Sequence, residues 1–74
     1  MPGKQDSNPE GRDIWLMATF GDGTETEPAG ARRYAHVGIA RLAAIEWSKA
    51  VPSVDLMIGG SVHARYRDGV EVDA

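Results

Sequence analysis

Ser61 and His63 form the one local pairing of a hydroxyl with a base in this chain. On a strand, residues two apart share a face, so a proton could pass from Oγ to the imidazole. Nucleophilic catalysis needs more: a third group to orient the ring and donors for an oxyanion. Neither Ser48 nor Ser53 supplies a nucleophile elbow, and His36 lies elsewhere in the chain. Both members of the pair therefore read as strand-surface polar groups, and no catalytic residue is expected.

Metal and phosphate chemistry fare no better. His36 and His63 are the only imidazoles, and there is no cysteine to complete a zinc set. Asp22, Glu25 and Glu27 cluster around a turn, but they offer too few oxygens for a defined divalent-cation site. Gly21-Asp22-Gly23 lacks both the third glycine of a dinucleotide fingerprint and a Gly-Lys-Ser/Thr step. An aspartate at its centre would repel phosphate. The expectation is a non-enzyme with no metal and no cofactor.

Binding chemistry is better represented. In Ser61–Arg67 the two-residue period puts Val62, Ala64 and Tyr66 on one face and Ser61, His63, Arg65 and Arg67 on the other. If the apolar set faces a core, a cationic row remains outside. With Trp15 and Met17 on the same side, that face could take a protein's acidic patch or stack bases. Trp15, His63, Arg65 and Arg67 are the candidate target-binding face.

These residues need a scaffold, and the chain spells one out. DIWLMATF, Asp13–Phe20, is a strand with apolar residues on both faces. A Gly-Asp-Gly turn follows, and Thr24–Glu27 either returns as a short polar edge strand or leads into a helix. The Ala-rich run Pro28–Ala50 predicts one long helix, with Thr26 or Glu27 as N-cap and Pro28 in the first turn. Val51-Pro52 ends it. Val54–Ile58, Gly59-Gly60, Ser61–Arg67, Asp68-Gly69 and Val70–Val72 read as a three-strand meander with two tight turns. The fold class is α+β: one helix packed on an antiparallel sheet of about four strands. Residues 13–74 form a single domain behind a flexible N-terminal tail, residues 1–12.

The helix carries apolar residues all round. Tyr34, Gly38, Leu42 and Ile45 form one stripe, flanked by Ala35, Val37 and Ile39, and this stripe is expected to face the sheet. Ala40, Ala43, Ala44 and Trp47 form the back. Small side chains there would admit a second helix, so these four residues are the candidate self-association surface of a homodimer. Arg32 and Arg33 sit in the half of the helix where its dipole disfavours cations.

Size and charge limit the function. The 74 residues carry a net charge of −3, acidic at both ends and basic in the middle. That balance argues against nonspecific nucleic-acid binding. No run approaches a membrane span, and the N-terminus has no apolar leader, so a cytoplasmic protein is expected. A small acidic chain of this kind suits a protein-binding or inhibitor domain acting by surface occlusion. Phages and mobile elements carry such proteins, anti-CRISPR proteins among them. The alternatives are a nucleic-acid-binding accessory protein using the basic strand face, and a structural subunit of a homo-oligomer.

Overall fold

The computed structural model describes residues 13–28 and 33–72. The expected N-terminal tail and Arg32 lie outside the described residues. The elements run β1 (Ile14–Thr19), β2 (Glu25–Thr26), α1 (Val37–Trp47), β3 (Ser53–Ile58), β4 (Ser61–Arg67) and β5 (Val70–Val72). All strand pairs are antiparallel, in the order β2-β1-β3-β4-β5. The helix lies over β1, β3 and β4. The α+β class is as the strand and helix patterns indicate, with Thr24–Glu27 contributing a fifth strand.

Turn chemistry fixes the connections. Asp68 and Gly69 both take positive φ, 55° and 84°, as a two-residue type I′ hairpin requires. At Gly59-Gly60 only the first glycine is positive, φ 63°, the sign pattern of a II′ turn. Between β1 and β2, the Asp22 carboxylate accepts from the Thr24 backbone N–H at 3.0 Å and from Thr24 Oγ1 at 2.7 Å.

The helix departs from expectation in length and in facing. It spans 11 residues and starts after His36, whose side chain makes no cap bond. The anticipated N-cap at Thr26 or Glu27 is corrected: Glu25–Thr26 is strand, and Pro28 is a buried turn residue. The cause is the upper edge of β1. Tyr34 N–H donates to Ile14 C=O at 2.9 Å, extending the sheet edge just where helix propensity alone would have kept winding. Tertiary pairing overrides that propensity, which is worth only tenths of a kcal/mol per residue.

The facing is rotated: Tyr34, Val37 and Ile45 of the expected inner side do reach the core, but Gly38, Ile39 and Leu42 do not. Ala40 and Ala44 are fully buried, and Ala43 and Trp47 pack on the same core. Leu42 is 67% exposed and Ile39 48%. The side expected to be a free back is the side that meets Ile14, Leu16, Ala18, Val54, Leu56, Ala64 and Tyr66. Alanines let the helix backbone settle close to the sheet, while Trp47 and Tyr34 fill the space around them. Self-association through Ala40, Ala43, Ala44 and Trp47 is therefore corrected: these side chains hold the monomer together.

Ser48 clamps the far end of the helix. It is 3% exposed. Its Oγ donates to Ile45 C=O at 2.8 Å and accepts the Gly69 N–H at 2.8 Å, while its C=O accepts the Asp68 N–H at 3.1 Å. One buried serine thus ties the helix C-terminus to the β4–β5 turn.

Candidate functional site: the open face of the sheet

The helix covers one side of the sheet; the other has no layer over it among the described residues. Alternation along each strand decides what lies there. Ile14, Leu16 and Ala18 of β1 point to the helix, so Trp15, Met17 and Thr19 point away. Their partners on β3 are Met57, Asp55 and Ser53.

β4 joins this face through an irregularity. Ile58 pairs with Ser61 across the two-residue turn, and a regular ladder would then set His63 opposite Leu56 and Arg65 opposite Val54. A charge would be driven under the helix at a cost of several kcal/mol. Instead the register shifts: Met57 pairs with Val62, and Leu56 with Ala64. His63 is the extra residue of a β-bulge. The bulge returns Ala64 and Tyr66 to the core and sets Arg65 opposite Asp55. It also corrects the expectation that Val62 shares a face with Ala64 and Tyr66. Val62 stands level with Met57 on the open side and is 40% exposed.

The open face consequently has ordered rows. At one end lie Trp15, Met57 and Val62. In the middle are Met17, Asp55, Arg65 and Val72. At the other end are Glu25, Thr19 and Ser53, with Arg67 level with Ser53 and Val70 beside it.

Two of the four expected target residues are engaged within the fold. Arg65 makes a two-point ion pair with Asp55, Nε to Oδ1 at 2.7 Å and Nη2 to Oδ2 at 3.2 Å. The hydrogen bond to Asp55 raises the guanidinium pKa further, with Asp55's charge adding to it and Glu25 contributing from β2. Trp15 Nε1–H donates to Gly59 C=O at 3.0 Å. Arg33 lies over its ring, 5.3 Å from the centroid. Arg67 makes no ion pair among the described residues and is exposed, as is His63 on its bulge.

Arg33 is the organiser that its helical assignment hid. It is not helical. It bridges to Glu27 at 2.7 Å and to Asp13 at 3.7 Å while stacking on Trp15. It ties the chain at Arg33 to the start of β1 and to Glu27. The acidic turn is likewise occupied internally: Thr24's hydroxyl and backbone bonds hold the Asp22 carboxyl below its ordinary value, and Glu27 is taken by Arg33.

The bulge breaks the alternation that would set Ser61 beside His63, because Ser61 is level with Ile58 on the helix side. No group of three or more His, Cys, Asp or Glu residues converges among the described residues. Tyr66 is buried, and burial pushes its phenol pKa up while Arg41 draws it the other way. Its OH reaches Glu71 at 3.4 Å, a structural contact. No helix among the described residues is long and apolar enough to cross a membrane.

The chain matches no protein-family model, no curated protein and no solved structure.

Proposed function

We propose that this chain is a non-catalytic protein-binding domain that works by laying its open sheet face on another protein surface and occluding it. One observation carries the reading. Antiparallel sheets with one side covered normally turn polar side chains outward on the other. Here the outward set includes Trp15, Met17, Met57, Val62, Val70 and Val72. Trp15, Met17, Met57 and Val62 adjoin at one end of the face, and Val70 and Val72 flank it beyond the Asp55–Arg65 pair; outward apolar side chains of this kind on a small domain mark an interaction surface. Arg67 and His63 supply a polar margin, which suits a protein interface with an apolar centre.

The geometry favours protein over nucleic acid. Base stacking needs a free aromatic face, and Arg33 already occupies that of Trp15. Phosphate contact needs uncommitted cations, and Arg65 is spent on Asp55. With a net charge of −3, little remains to drive counterion release.

The test compares proteins retained from the native host by the tagged chain, by Val62→Asp and by Leu42→Asp. A partner, or a second copy of the chain, should be lost with Val62→Asp and kept with Leu42→Asp, which alters the outer helix face. Identical retention by all three forms contradicts the reading. DNA or RNA bound at low salt and lost with Arg67→Ala would instead favour the nucleic-acid alternative.

A further inference from the structure

We infer that the occupant of the open face is a second copy of this chain, packed sheet on sheet about a two-fold axis that runs parallel to the strands and between β1 and β3. The inference rests on the binding face proposed above and names its partner.

Charge placement selects this arrangement. Glu25 on β2 and Arg67 on β4 lie in the same row, on opposite sides of β1 and β3. Neither makes an ion pair among the described residues. A two-fold axis between β1 and β3 exchanges β1 with β3 and β2 with β4. It therefore sets Glu25 of each copy over Arg67 of the other, twice. The same operation lays Thr19 over Ser53 and Trp15 over Met57. Polar meets polar at one end, apolar meets apolar at the other, and in the middle row each Met17 lies over the other copy's Asp55, whose charge Arg65 already neutralises. An axis across the strands would instead press the Glu25–Arg67 row onto the Trp15–Val62 row, and an axis along β3 would bring the two Asp55 carboxylates together. Sheets in such layers stand about 10 Å apart, a gap that a glutamate and an arginine reaching toward each other can span.

Area points the same way. β1, β3 and β4 are six or seven residues long and are flanked by the shorter β2 and β5, so strands about 4.8 Å apart give a face of roughly 20 Å by 20 Å at most. At roughly 400 Å² in plan, such a face is about half the roughly 800 Å² per partner of an ordinary stable interface, which suits a dimer that dissociates in the micromolar range. The rival surface, the outer stripe of α1 around Ile39 and Leu42, is only about 16 Å long and too narrow to hold a dimer alone. Packing the sheets would leave both helices outside, with those two residues facing outward.

Sedimentation velocity on the purified full chain over a dilution series tests this. At about 100 µM most of the chain should sediment at twice the chain mass and dissociate on dilution through the micromolar range. Arg67→Glu and Glu25→Arg should each raise the dissociation constant by about tenfold or more. The double variant should return it to within about threefold of the wild type, which a merely unfolded variant could not do. Leu42→Asp should change nothing. A wild type that stays monomeric at about 100 µM overturns the inference, as does a dimer indifferent to the single reversals. If the monomeric wild type holds a different protein that Val62→Asp releases, the binding face stands and only the second copy is refuted.

Discussion

Val62 stands opposite Met57, while two residues on Ala64 stands opposite Leu56. That one-residue slip at His63 decides which side chains β4 shows to the helix and which to the open face. It delivers Arg65 to Asp55 and a valine to the apolar end of the face.

If His63 serves only as the inserted residue, deleting it leaves the pairs on either side adjacent and in regular register. The deletion should fold to the same sheet at a cost of about 1 kcal/mol, the range of a modest local change. Chemical denaturation with amide shifts for Leu56 and Ala64 would show it. Loss of cooperative folding would mean that the kink itself is required.

The buried Ser48 hydroxyl serves two backbone partners on separate elements. Ser48→Ala leaves the Gly69 N–H without its acceptor, so a loss of about 1–3 kcal/mol is expected. Ser61→Ala, at an exposed position, should stay within about 0.5 kcal/mol. Equal effects in urea unfolding would contradict the clamp.

The observed helix facing makes an asymmetric prediction. Ala44→Leu forces extra volume into a filled site and should destabilise by about 1–3 kcal/mol. Leu42→Lys should be nearly neutral. Gly38→Ala should stabilise by about 0.5–1 kcal/mol, because a Cβ there meets nothing within 4 Å. Thermal unfolding of the three variants separates this facing from its opposite, in which Leu42 would be the sensitive position.

The Asp22 carboxylate is held below its ordinary 3.8 by Thr24. For an acid with a depressed folded pKa, the stabilisation is present above the ordinary value and is lost as pH falls through the lowered one. The β1–β2 turn should thus hold at pH 5 and loosen only in strong acid, read as the Thr24 amide shift against pH. Asp22→Asn should abolish that acid transition. A Thr24 shift that titrates above 3.8 would contradict the assignment.

Much of the fold could be read directly from residue order. β4 and β5 have the bounds that alternation and the Asp68-Gly69 turn indicate. The helix was harder, because Ala40 and Ala44 carry less hydrophobicity than Leu42 and Ile45, yet small size is what lets a helix settle on a sheet. Residues 33–36 are drawn out of the helix beside an edge contact, Tyr34 to Ile14, that no local pattern encodes. The bulge was legible in principle: a two-residue turn at Gly59-Gly60 is incompatible with placing both Leu56 and Ala64 under the helix. Working the register across that turn would also have found the Asp55–Arg65 pair and removed Arg65 from the free cations. Arg33's stacking on Trp15 joins segments by tertiary contact alone and left no trace in spacing.

Methyl NMR across a concentration series tests the central claim, that the open sheet face is the working surface. The account predicts that the methyls of Met17, Met57 and Val62 shift together as the chain is concentrated, while those of Ile39 and Leu42 hold still. Movement of Leu42 and Ile39 with the sheet methyls unchanged would contradict it and transfer the contact to the helix.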